Sequence, residues 1–153
     1  MHRLELKVPP VAVFLLIGAA MWALARTIPA AAVSLSGASF IAAALALIGG
    51  ALGVSAILRF RQHETTVHPN KPEKASAVVT TGAYRYTRNP MYLGLAFLLT
   101  AWAFKLGNVL SLACVALFIA YMTRFQIKPE ERALLELFGE TYSDYLGRVR
   151  RWL

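Results

Sequence analysis

Charge is what this sequence has least of. Only 16% of its 153 residues are charged, against about 25% in ordinary soluble domains. With 58% hydrophobic residues and a mean hydropathy of +0.53, the chain is too apolar for disorder, a secreted disulfide scaffold or a coiled coil. Cysteine is nearly absent. The single Cys114 lies in an apolar run, which excludes an internal disulfide and a thiolate zinc cluster. There is no Ser/His/Asp or Cys/His arrangement, no HExxH, and no glycine-rich phosphate loop between a strand and a helix. His63 and His68 read as solvated interfacial histidines rather than metal ligands. The length fits one domain.

The missing charge is concentrated in long gaps. Residues 8 to 25 make 18 uncharged positions, 27 to 58 make 32, 89 to 104 make 16 and 106 to 123 make 18. A helix needs roughly 20 mostly apolar residues to cross the hydrocarbon core. The expected fold is an all-α polytopic membrane protein: four transmembrane helices, about 8–26, 37–59, 91–104 and 107–125, a loop over 60–90, and a C-terminal amphipathic cytoplasmic helix over 129–150. The third span is the shortest, and a tilted or partly re-entrant path is open to it. The basic start, apolar run and Ala30-Ala31-Ala32 have the order of a signal peptide. A second membrane segment follows, however, so an uncleaved first span is expected. Pro9-Pro10 opens it, where a missing amide costs nothing.

Four spans place 14 of the 16 basic residues on one side, with all eight acidic ones; only Arg26 and Lys105 fall on the other. Positive charge stays inside, so both termini and the central loop are expected in the cytoplasm, in a bacterial or archaeal cytoplasmic membrane. The net charge of +8 then flanks membrane spans, where anionic headgroups account for it better than nucleic acid does. The lipid bilayer is the expected partner. Oligomeric state has no signal.

Polar chemistry is confined to three pieces. The loop from Arg59 to Arg88 contains His63, Glu64, His68 and the Pro69-Asn70-Lys71-Pro72 turn. Within residues 80–94, Gly82 suits a tight turn, and Asn89-Pro90 reads as an N-cap with proline at N1 of the third helix. Arg85 and Arg88 and the tyrosines also fit a plain interfacial belt. In the C-terminal piece, Lys128-Pro129-Glu130-Glu131 opens a helix whose dipole the glutamates complement. Leu134, Leu137, Phe138, Tyr142, Tyr145 and Val149 recur at helical spacing, interrupted by Gly139.

Together these pieces are more specific than apart. The pattern T-x-G-x-Y-x-x-x-R-N-P-x-Y-x-G, ending at Gly94, is followed by a helical hairpin and then by Glu130-Glu131-Arg132, Leu135, Phe138-Gly139, Tyr142 and Tyr145. Over roughly residues 50 to 150 the chain resembles the isoprenylcysteine carboxyl methyltransferases and the related phospholipid N-methyltransferases. The resemblance implies an S-adenosylmethionine site at the cytoplasmic ends of the last helices and a lipid-like or small hydrophobic acceptor entering from the bilayer. It implies that Val78, Val79, Tyr84, Asn89, Pro90, Met91 and Tyr92 line the cofactor site, with Glu130 or Glu131 closing it. Two positions depart from the prenylcysteine pattern: Asn89 stands where that pattern has histidine, and Gln126 where it has an arginine that clamps the substrate carboxylate. The clamp, and with it the catalytic role of holding the acceptor, would then pass to Arg124 or Arg132. Two other readings remain open on the residues: a membrane reductase using NADPH, whose C-terminal core resembles this superfamily, and a non-enzymatic membrane protein in which the motifs serve as caps and anchors.

Overall fold

The computed structural model describes residues 5–62 and 77–153. His63, Glu64, His68 and the Pro69-Asn70-Lys71-Pro72 turn lie outside the described residues. The described residues are mostly helical and form no strand, as the charge-free gaps predict. Pro10 occupies N1 of α1 (Pro10–Thr27). Helix α2 (Ala38–Gln62) follows a short turn over Pro29–Ala31. Helix α3 (Pro90–Leu106) also begins on a proline, and it ends where Gly107 turns left-handed at φ 60 and returns its N–H to Ala103 O. Asn108 follows at once as the N-cap of α4 (Val109–Tyr121), accepting from Leu110 N–H at 3.0 Å. That two-residue turn forces α3 and α4 to run antiparallel.

Three helices are long and apolar enough to cross a membrane, and α3 adds a fourth apolar helix of 17 residues. Seventeen residues rise about 25 Å, close to the lower limit for a span. Helix α3 makes up for its length by position. It alone packs against α1, α2 and α4, and its small residues Gly94, Ala96, Ala101 and Ala103 are buried. Against α2 the backbones nearly touch: a Cβ on Gly94 would meet Gly49 O at 2.7 Å, and one on Gly49 would meet Gly94 O at 2.7 Å. Small residues at such a crossing let van der Waals packing replace the hydrophobic drive that lipid removes. Large apolar side chains point outward instead, among them Phe40 at 83% exposure and Leu47 at 75%, which lipid covers. The interior holds Met21, Leu99, Phe118, Met122 and Ile127.

Alternation of the four helices collects the start of α1, the end of α2, the start of α3 and the end of α4 at one end, the site end. At the far end Val33 N–H bonds Gly107 O at 2.7 Å, and Asn108 Nδ2 donates to Ile28 O. Arg26 and Lys105 belong to this far end, Arg26 lying over the Trp22 ring.

Two expectations for the last third of the chain need correction. No break separates the fourth span from the next helix: α4 continues through a π-helical segment, Met122–Ile127, into α5 (Lys128–Phe138). Pro129 explains the widening. It has no N–H for the Phe125 carbonyl four residues back, and its ring crowds that carbonyl. Lys128 N–H reaches Thr123 O five residues back instead, and Phe125 O accepts from Leu6 N–H of the N-terminal segment at 3.1 Å. The expected single helix over 129–150 is also two. Gly139, at φ 53 and ψ −125, ends α5 and opens α6 (Glu140–Arg148) at a corner that a Cβ would strain.

Candidate functional site

The site is built where the start of α3 meets the π segment. Pro90 at N1 places Tyr92 in the first turn of α3, buried and facing the α4–α5 helix. Gln126 and Glu130, four residues apart, share one face of that helix. Tyr92 O–H donates to Glu130 Oε1 at 2.6 Å, and Gln126 Nε2 donates to the same oxygen at 2.6 Å. Oε2 takes part in neither bond. Among the described residues Glu130 belongs to no ion pair within 4.0 Å. A partly buried carboxylate held by two neutral donors, with one oxygen left over, is arranged to receive a cation.

An apolar wall adjoins it. Val79 and Tyr84 are buried with Ala56 of α2, and Met91 packs against them. Gly82, at φ 62, opens the tight turn Gly82–Arg85 that carries Tyr84. Tyr145 O–H on α6 fixes this turn by donating to Tyr84 O at 2.8 Å. The Tyr84 phenol is pushed well above its ordinary range, by burial first and then by Tyr145 and Glu130. Burial likewise raises Tyr142 and Tyr145. All three phenols therefore stay neutral at any physiological pH.

Glu131 points elsewhere. Its carboxylate takes Arg88 Nη2 at 2.9 Å and Arg151 at 2.7 Å, with side-chain exposures of 13% for Glu131 and 10% for Arg88. The Glu131 hydrogen bond raises Arg151 above its usual value. Arg88 spends its Nη1 on Leu146 O and Val149 O at the end of α6. The C-terminal tail is tied to the same stretch: Arg150 O accepts from Arg88 N–H, while Arg151 O accepts from Thr87 Oγ1 and from Asn89 Nδ2. Asn89 precedes α3 without capping it by a side-chain bond. Trp152 Nε1 closes the clasp on Thr123 Oγ1 of the π segment at 3.0 Å.

Of the residues singled out in the sequence, Val79, Tyr84, Met91, Tyr92 and Glu130 thus come together. Val78 is half-buried just before the turn, and Pro90 is buried at the start of α3. Asn89 and Glu131 sit in the tail clasp. Arg124 and Arg132 both engage Glu5 at the N-terminus, at 2.9 and 2.7 Å. Sequence reasoning named Gln126 only as a departure and missed its bond to Glu130, although the four-residue spacing on a helix signals it. Nothing local announces the Tyr145 anchor or Glu5, which meet partners 61 and more than 100 residues away.

Comparison with known proteins gives the family. The family model described as phospholipid methyltransferase matches residues 38–141. An uncharacterized protein of Haemophilus influenzae is 46% identical over 63 residues, which are 41% of this chain and the whole of that protein. The protein-S-isoprenylcysteine O-methyltransferase of Schizosaccharomyces pombe is 29% identical over 102 residues, 67% of this chain and 43% of the relative. The Saccharomyces cerevisiae enzyme of the same name is 34% identical over 82 residues, 52% of this chain and 33% of its own length. This chain therefore spans less than half the length of either isoprenylcysteine enzyme. No solved structure matches it. The matched stretch covers more than half of the sequence and includes Val79, Tyr84, Tyr92, Gln126 and Glu130, and on that evidence the chain belongs to the phospholipid methyltransferase family.

Proposed function

We propose that this chain transfers a methyl group from S-adenosylmethionine to a lipid-like or small hydrophobic acceptor at the cytoplasmic face of the membrane. The observation that carries the proposal is the Glu130 carboxylate, tied on one oxygen by Tyr92 and Gln126 and without a cationic partner among the described residues. It lies beside an apolar wall at the end of the spanning helices. A cofactor that carries an ammonium, a sulfonium and flat rings fits that donor set: a carboxylate for the positive charge, apolar and aromatic surfaces for the rest.

When bound, the cofactor supplies a methyl group on a cationic sulfonium, so the protein needs no nucleophile of its own. Glu130 would hold the cofactor's ammonium, with Tyr92 and Gln126 fixing the carboxylate's orientation. Val78, Val79, Tyr84 and Met91 form the wall that excludes water, and Asn89 and Pro90 set the start of α3 against it. Glu131 acts one step back, holding Arg88 and Arg151 so that the tail stays closed over the site end. Arg124 and Arg132 hold an acidic acceptor or headgroup. With a protein contribution of this kind, acceleration comes from near-attack positioning in a dry site rather than from proton transfer. Vesicles containing the chain, incubated with cofactor labelled in its methyl group, should yield labelled organic-soluble product; no label above vesicles lacking the chain, across lipid, thiol and prenylcysteine acceptors, would contradict the proposal.

A further inference from the structure

The N-terminal segment meets the two arginines to which the acceptor's acidic group is given above. Glu5 is nearly enclosed, with 8% side-chain exposure, and each of its oxygens takes one guanidinium: Oε1 from Arg124 at 2.9 Å and Oε2 from Arg132 at 2.7 Å. The two guanidiniums are open, at 40% and 53% exposure. Two guanidiniums share the Glu5 carboxylate, and each arginine gives Glu5 only one of its five N–H donors. Arg124 stands three residues past the end of α4, beside the tilted ring pair Tyr121 and Phe125, whose centroids are 4.9 Å apart. Aromatic rings and arginines just beyond an apolar span mark the depth of the lipid headgroups.

We propose that Arg124 and Arg132 form a binding site for the phosphate of an anionic lipid headgroup, and that Glu5 is its built-in occupant. A phosphate offers more oxygens than a carboxylate to two guanidinium edges and bonds them in the same paired geometry. The segment carrying Glu5 is suited to release. Leu6 sits at φ 57, a left-handed conformation costly for a leucine, and its N–H bonds a carbonyl that Pro129 leaves without its helical donor. Lifting Glu5 and Leu6 therefore relieves backbone strain while a lipid phosphate takes over the arginines. Anionic lipid concentrated in a leaflet supplies the ligand at the right depth. The proposal rests on the membrane placement of the chain and on the role given above to Arg124 and Arg132, but its test requires no methyl transfer.

The Leu6 amide, adjacent in the chain to Glu5 and bonded to Phe125 O, is the reporter for the state of the segment. The full chain is placed in nanodiscs of phosphatidylcholine, with or without phosphatidylglycerol, and hydrogen exchange at Leu6 is measured. Phosphatidylglycerol should speed exchange about tenfold, the scale of one charged hydrogen bond exchanged for another. Glu5→Gln, a change outside every helix, should expose Leu6 in both discs and tighten phosphatidylglycerol binding by a similar factor. Arg124→Gln with Arg132→Gln should abolish the response to lipid. Equal Leu6 exchange in both discs overturns the proposal, as does unchanged lipid affinity in Glu5→Gln. A response to inorganic phosphate without one to phosphatidylglycerol overturns the lipid assignment.

Discussion

Replacing Glu130 and Glu131 by glutamine, one at a time, separates binding from folding at two adjacent positions. In Glu130→Gln the new amide oxygen still accepts from Tyr92 and Gln126, which reach the carboxylate at 2.6 Å each. Stability should therefore change by less than about 1 kcal/mol. A cofactor ammonium facing that position loses its counter-charge, and affinity should fall by about 2 to 5 kcal/mol, or roughly 30-fold and upward. Glu131→Gln should behave in the opposite way. Its carboxylate neutralises Arg88, which is 10% exposed and whose buried Nε has no hydrogen-bond partner among the described residues. Removing the charge strands that guanidinium. The full penalty for breaking a buried pair is about 3 to 5 kcal/mol, and the partly exposed Arg151 together with the remaining amide acceptor reduces it to about 2 to 4 kcal/mol. Thermal melting in detergent and calorimetric titration with S-adenosylhomocysteine read the two effects separately. Wild-type affinity in Glu130→Gln, or wild-type melting in Glu131→Gln, would refute the division of roles.

Gly94→Ala places a methyl 2.7 Å from Gly49 O, backbone that has nowhere to move, so melting should show about 1 to 3 kcal/mol of destabilisation. Pro129→Ala returns an N–H to the Phe125 carbonyl within the helix; faster hydrogen exchange at the Leu6 amide is expected, and unchanged exchange would contradict the origin given for the π segment. A cysteine at Lys71 should react with an impermeant thiol reagent from the cytoplasmic side only, and one at Ser34 from the other side only. The reverse labelling would invert the topology.

The helices were legible because lipid imposes one rule over most of their length: charge is excluded, so charge-free gaps trace α1, α3 and α4 closely and contain most of α2. Proline refined the starts at Pro10 and Pro90, since a fixed φ and a missing donor cost nothing at N1. The same residue misled at Pro129. A proline there fits the start of a new helix as well as the interior of a continuous one, and the choice depends on whether another N–H reaches Phe125 O. Leu6 supplies it from more than 100 residues away, a contact outside the reach of any local pattern. The site divided in the same way. Tyr84, Tyr92 and Glu130 came from a motif whose spacing is local within each piece, while the tail clasp on Thr87, Arg88 and Asn89 depends on where residues 146–151 return. Asn89 illustrates the cost of reasoning locally: next to Pro90 it looks like a helix cap, but its amide is spent on Arg151 O.

The central claim is that the Glu130 cluster is a cofactor site, and direct binding tests it best. Calorimetry on the folded, detergent-solubilised full chain should show saturable binding of S-adenosylmethionine and S-adenosylhomocysteine and none of NADPH. No binding of either adenosyl ligand by protein whose melting shows it folded, or binding of NADPH in their place, would contradict the account.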